Sequence, residues 1–298
     1  MKVVCIGHST FDTTLPLQEF PKENYKYRIN KHIECGGGPA SNAAYLLAKW
    51  GMDTSIVSIV GDDYYGDRVM LDFRKVGADI TYLERLDNYQ TSSSYIIANT
   101  ETGSRTVITS KSEAIRKLSK PVKIKADVIL VDGEHPETAN EVLMDNPEAL
   151  SILDAGRLTD DTRFLGKKVH YLVCSKKFAE EFTNRKIDVE NMNKLISIHK
   201  ELVEHFKNNV IITLEENGSF TIIDDQYMII PTAKVSVLDS TGAGDIFHGA
   251  FTYFMANDYS LYDSIKYASI TAAISVTRIG SRNSIPELSE VMDFDTII

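Results

Sequence analysis

Asp239-Ser240-Thr241-Gly242-Ala243-Gly244-Asp245-Ile246-Phe247-His248-Gly249-Ala250-Phe251 is the stretch on which the reading of this chain turns. Upstream, residues 234–238 alternate like a short strand. Downstream, Ile246-Phe247, Ala250-Phe251 and Phe254 recur at helical spacing. The glycines therefore fall on a tight turn between a strand and a helix N-terminus, where free N–H groups and the helix dipole favour an anion. Gly242 and Gly244 let a bound group approach the backbone with no Cβ in the way. Asp245 is the odd member, because a carboxylate competes with an anion for those same amides. An acid beside an anion hole points to proton abstraction next to a phosphoryl group.

The common phosphate motifs fit poorly. A Walker loop ends in Gly-Lys-Ser/Thr, which is absent, and a dinucleotide fingerprint needs a third glycine where Phe247 stands. An ordinary strand–turn–helix with an acid in its first turn would account for Gly-x-Gly alone. The full run Asp-Ser-Thr-Gly-Ala-Gly-Asp is more specific, and it resembles the C-terminal signature of the ribokinase-like (PfkB) carbohydrate kinases. The N-terminal half resembles the same family at Gly36-Gly37-Gly38-Pro39-Ala40-Ser41-Asn42, which runs into an apolar helical pattern ended by Gly51. Pro39 suits a first helical turn and Gly51 a C-terminal stop. Gly61-Asp62-Asp63 with Gly66, and the closing segment 277–286, match as well, so the resemblance spans essentially the whole chain.

Composition sets bounds around that resemblance. With 298 residues, 43% hydrophobic and 25% charged, the chain can bury a substantial core and is an ordinary globular protein. Its net charge of −10, with no basic block, argues against a nucleic-acid partner. No apolar run approaches a membrane span, and residues 1–7 read as a first strand instead of a signal peptide. Three cysteines without framework spacing fit a reduced, cytoplasmic protein, with Cys35 a small neutral residue. His8, His32, His135 and His248 show no ligand spacing, so no structural transition metal is expected; His248, one turn from Asp245, is expected in the core or in solvent.

Apolar runs at 2–7, 55–60, 127–131, 150–154, 171–174 and 209–214 alternate with helical patterns near 40–50, 65–76, 137–145, 176–183 and 190–207. Strands of this kind, each followed by a helix, predict a parallel sheet covered on both faces, with 218–223 and 226–230 as an edge hairpin. Residues 25–34 and 91–108 break the rhythm and read as strands outside that sheet. The resemblance implies a three-layer α/β/α core with a mainly parallel sheet and a small inserted β lid. The expected organisation is one domain over 1–298, with lid segments at about 12–35 and 90–110, and a homodimer formed through the lid.

The resemblance also implies an ATP- and Mg²⁺-dependent kinase acting on a hydroxymethyl group of a small sugar, such as ribose, fructose or a related ketose. Asp245 matches the family's base, and the amides of Gly242, Ala243, Gly244 and Asp245 its anion hole. Asp12, Gly37, Gly38 and Asn42 match sugar-binding positions. Thr213, Gly218 and Thr241 match the nucleotide side, and Ser175 opens Ser175-Lys176-Lys177-Phe178 where the family often has Asn-x-x-Glu for magnesium and phosphate. Asp239 and Ser284 flank an expected monovalent cation site, with K⁺ as the candidate ion. Two other readings remain open: a nucleoside kinase of adenosine type, and a catalytically silent sugar-binding regulator on the same fold.

Overall fold

The computed structural model describes residues 1–112 and 117–295. Strand β1 (Lys2–Ile6) buries Val3, Val4, Cys5 and Ile6, as a strand covered on both faces must. The chain then leaves the main sheet for an antiparallel pair, β2 (Thr10–Leu17) and β3 (Ile33–Gly37). Helix α1 (Pro39–Lys49) begins on Pro39 in its first turn and ends before Gly51. Strand β4 (Asp53–Gly61) follows, then α2 (Tyr64–Lys75), which is capped by the Asp63 carboxylate accepting from Gly66 N at 2.8 Å. After β5 (Asp79–Leu86), the hairpin β6 (Ser92–Asn99) and β7 (Arg105–Ser110) joins the first pair, with β6 parallel to β2.

The second half alternates regularly. It runs β8 (Val128–Val131), α3 (Pro136–Asp145), β9 (Leu150–Ala155), α4 (Asp160–Gly166), β10 (Tyr171–Ser175) and α5 (Lys176–Thr183). Helix α6 (Met192–Phe206) and β11 (Asn209–Thr213) precede an antiparallel hairpin, β12 (Ser219–Ile223) and β13 (Gln226–Ile230). Helices α7 (Ala243–Ala256), α8 (Leu261–Ser275) and α9 (Leu288–Asp295) close the chain.

The nine-stranded sheet has the order β13-β12-β11-β10-β9-β8-β1-β4-β5, parallel except for the terminal hairpin. One face packs on α3–α6 through Leu153, Leu172, Phe178 and Phe206, and the other on α1, α2, α7 and α8 through Leu47, Phe73, Phe251 and Phe254. This is the expected three-layer α/β/α core. The separate four-stranded sheet β3-β2-β6-β7 fits the expected lid, and Arg105 of its exposed outer strand β7 bonds Ser240 beside the start of α7, near the carboxyl ends of the parallel strands. That edge, where ligands bind in open α/β sheets, carries the candidate site.

Two expected strands are not strands. In 25–34 only Ile33 and Glu34 belong to a ladder; Tyr25 and Ile29 point to solvent, so their alternation has no partner strand to pack on. Residues 234–238 run without a ladder, and the N–H groups of Leu238 and Asp239 turn instead to Val276 O, at 2.8 and 3.2 Å.

Candidate active site

Helix α7 starts on Gly242, whose φ of +73° is cheap for glycine alone, and no side chain caps it. The first-turn N–H groups of Gly244 and Asp245 accordingly find no acceptor among the described residues. The turn is held from behind. Asp239 Oδ1 accepts from Thr241 N at 2.9 Å and Thr241 Oγ1 at 2.5 Å, while its Oδ2 accepts from Gly280 N at 2.9 Å. Asp239 and Thr241 are buried, so both act as ties between the turn and the segment after α8.

Asp245 lies in this same first turn and is half-buried. Its Oδ2 accepts from Asn42 Nδ2 at 2.7 Å, joining the first turns of α1 and α7. Burial, followed by the neighbouring Asp154 carboxyl, pushes the Asp245 pKa up to about 7; Asn42, His248 and Arg105 act in the opposite direction. A carboxyl at that position can take a proton near neutral pH and give it up again.

Behind it lies a pair that sequence reasoning did not single out as functional. His248 Nδ1 is 3.2 Å from Asp154 Oδ2 and 2.6 Å from Gly244 O, and its Nε2 is 3.1 Å from Val173 O. Of the places expected for His248, the core is the one it takes, and there it is paired with a carboxyl. Burial drives both partners towards their neutral forms, pushing Asp154 up to about 8 and His248 down. Asp154 sits at the end of an apolar strand, and that position was its only signal in the sequence.

Among the residues expected to bind sugar, Asp12 lies inside β2 and is 6% exposed, with Oδ1 accepting from Thr10 Oγ1 at 2.7 Å. Burial raises its pKa, against the hydroxyls of Thr10 and Ser94 and the charge of Arg282. A Cβ on Gly37 would come within 2.0 Å of Asp12 Oδ2, so this glycine makes room for the carboxyl. Gly38 and Asn42 follow at the start of α1. Asp132, at the end of β8, fixes that start by accepting from His8 N, Ala40 N and Glu134 N at 2.8, 3.0 and 2.9 Å.

The lid meets the core at both ends of this cleft. Arg105 Nη1 donates to Ser240 Oγ at 2.7 Å, beside the turn that opens α7, and Lys111 Nζ pairs with Glu134 at 2.8 Å. Of the residues expected to line the nucleotide, Ser175 and Thr213 are adjacent in the β10–β11 register, and Gly218 lies just before β12. Ser175 caps α5, accepting from Phe178 N at 3.0 Å and donating to Gly156 O at 3.1 Å. Phe178 is fully buried, so no carboxylate stands where the family pattern places Glu. Thr213 Oγ1 donates to Cys174 O at 3.4 Å.

Ser284 Oγ donates inward to Ser281 O at 2.7 Å, and its N–H to Gly280 O at 3.2 Å, one step from Asp239. Asp239 thus ties the turn to Gly280, and Ser284 ties to Ser281 beside it. Among the described residues no three His, Cys, Asp or Glu side chains converge on a metal-sized site. Nor is any helix of the described residues long and apolar enough to cross a membrane.

Residues 1–288 match the family described as pfkB family carbohydrate kinase. A deoxyribokinase of Salmonella typhi is 24% identical over 312 residues, covering 99% of this chain and 98% of the relative. A ribokinase of Haemophilus influenzae is 27% identical over 302 residues, covering 97% and 96%. The crystal structure of a ribokinase from Thermotoga maritima superposes with a TM-score of 0.78 at 26% identity, covering 99% of each chain.

Proposed function

The chain belongs to the pfkB family of carbohydrate kinases, and on that premise we propose that it transfers the γ-phosphoryl group of ATP to a hydroxymethyl group of a small sugar. It is a phosphotransferase with an alcohol acceptor. Ribose, fructose and related ketoses are the acceptors proposed. The relatives named ribokinase and deoxyribokinase favour the pentoses among them.

The observation that carries this reading is the Asp245 carboxyl, held by Asn42 at 2.7 Å, beside the unpartnered first-turn amides of α7. In the proposed step the sugar hydroxyl oxygen attacks the γ-phosphorus while its proton passes to the Asp245 carboxylate. The bond between γ-phosphorus and the β–γ bridging oxygen breaks, and ADP leaves. The amides of Gly242, Ala243, Gly244 and Asp245 face the charge on the transferring oxygens. Asp12, Gly37, Gly38 and Asn42 hold the sugar hydroxyls, while Ser175, Thr213, Gly218 and Thr241 lie along the nucleotide.

A magnesium ion would arrive with the nucleotide and be held mainly by its phosphates, since Phe178 occupies the position of the family's Glu. It would supply charge neutralisation there. The backbone around Asp239 and Gly280–Ser284 is the place proposed for K⁺. The whole chain acts as one kinase unit whose lid, 12–35 and 90–110, closes the cleft and pairs two copies.

The test is ADP release from ATP with D-ribose, 2-deoxy-D-ribose, D-fructose, other ketoses and adenosine as acceptors. Turnover with a pentose or ketose supports the proposal. Turnover with adenosine alone would move the assignment to a nucleoside kinase, and none with any acceptor would favour a silent binding protein.

A further inference from the structure

Arg282 is 3% exposed, yet no role in the reaction has fallen to it. Its guanidinium is sandwiched between Phe73 and Tyr45, with Cζ 4.6 and 5.1 Å from the ring centres. Nη2 donates to Ser41 Oγ at 2.6 Å, and Nε donates to Asn42 Oδ1 at 3.3 Å. Nη1 lies 3.7 Å from Asp72 Oδ2 and makes no hydrogen bond of its own. That same Asp72 oxygen accepts from Gly36 N at 2.9 Å, in the strand that leads to Gly37 and Gly38. The fit is tight: a Cβ on Gly36 would come within 2.2 Å of Nη1.

The consequence falls on Asn42. A side-chain amide can turn over, exchanging its carbonyl and its NH₂, with little change of shape. Arginine has donors and no acceptor, so the Asn42 carbonyl must face Nε. The NH₂ is then directed at Asp245 Oδ2, 2.7 Å away. In the turned amide, NH₂ would oppose the guanidinium and the carbonyl would oppose the carboxylate, two unfavourable contacts in a buried place. A donor held against a carboxylate favours its ionised form, which is the form that accepts a proton.

We propose that Arg282 is a positioning residue for phosphoryl transfer: it locks the Asn42 amide in the orientation that donates to Asp245, and so couples the seat of the Gly36–Gly37 strand to the base. This rests on the reading of Asp245 as the base. The other titratable or charged groups facing Asp245 are Asp154 on β9, His248 on α7 itself and Arg105 on β7. All three are untouched by the variants below.

The test reads the Asp245 carboxyl by carbon-13 NMR titration of aspartate-labelled full-length protein without ligands, the resonance being assigned by its loss in Asp245→Asn. Asn42→Ala removes the donor directly and should raise the apparent pKa by about half to one unit. Arg282→Gln should reproduce that shift, and the double variant should add nothing further. Arg282→Lys keeps the cation but offers one donor group to two acceptors, so its shift should have the same sign and be smaller. If Arg282→Gln does not fold, Arg282→Lys alone is scored.

With ATP and D-ribose, a one-unit rise from about 7 leaves about a tenth of Asp245 ionised at pH 7 in place of half, so turnover falls about fivefold and recovers near pH 9. A purely structural Arg282 would lower the melting temperature and leave the titration in place. An unchanged titration in the folded Arg282 variants, against a shift in Asn42→Ala, overturns the proposal. Should Asp245→Asn retain turnover, the base assignment fails while the titration still scores Arg282 independently.

Discussion

Gly244→Ala separates what this turn does for the fold from what it does for the reaction. Gly244 lies in the first turn of α7 with a negative φ, and a Cβ built on it meets no atom within 4 Å. Alanine therefore fits the folded chain and restricts the unfolded one, a gain of about 0.4–1 kcal/mol. For 298 residues the unfolding entropy is roughly 0.6 kcal/mol per kelvin, so the melting temperature should rise by only about 1 °C. The empty space, however, is the mouth of the proposed anion hole. A methyl group there holds the transferring phosphoryl away from the amides of Gly244 and Asp245. Loss of one such donor costs about 10²–10³ in kcat. A melting curve and a coupled ADP-release assay on the same preparation measure both numbers. Stability kept and turnover lost is the expected result. Unchanged kcat and unchanged KM for ATP would show that the phosphoryl group does not pass this face, and the site would have to be redrawn.

Three other outcomes follow from the same geometry. With Asp245 pushed up to about 7, the base is ionised above that pH and protonated below it, so kcat/KM should fall about tenfold per unit below pH 7 and level off above; an acid limb near pH 4 contradicts this. Asp12→Ala removes a buried carboxyl from the sugar side and should raise the sugar KM by one to two orders of magnitude, about 1.5–3 kcal/mol, with the KM for ATP unmoved; an unchanged sugar KM refutes that role. In Asp239→Asn, one face of the new amide must point its own donor at the N–H of Thr241 or Gly280. The cost is about 1–3 kcal/mol, a fall of roughly 2–5 °C in melting temperature, and an unchanged melting point would refute the tie.

What could be read in advance was what depends on local chemistry. The strand–helix alternation, the proline start of α1 and the glycine turn before α7 are set by residues close together in sequence, and they stand where expected. The strands at 25–34 and 234–238 failed because alternation predicts a ladder only if another strand is there to receive it. Strands β2 and β5 escaped notice for the opposite reason: both are rich in polar residues and only half-buried along much of their length, yet a neighbour pairs with each. The site divides in the same way. Asp245 and Asn42 were legible from their motifs, but not the hydrogen bond that joins them across 203 positions. Arg282 stands in the closing segment 277–286, which reads as a family match with a cation site at Ser284, and nothing in it singles out the arginine. Only the approach of α1, α2 and β3 reveals that its charge is buried.

The central claim, that Asp245 takes the proton of the acceptor hydroxyl, is tested most directly by Asp245→Asn. The substitution preserves size and leaves the turn's amides in place. Nucleotide affinity measured by calorimetry should stay close to that of the unaltered protein, while turnover with the best acceptor should drop by about 10²–10⁴. Turnover within a few-fold of the unaltered enzyme would contradict the account.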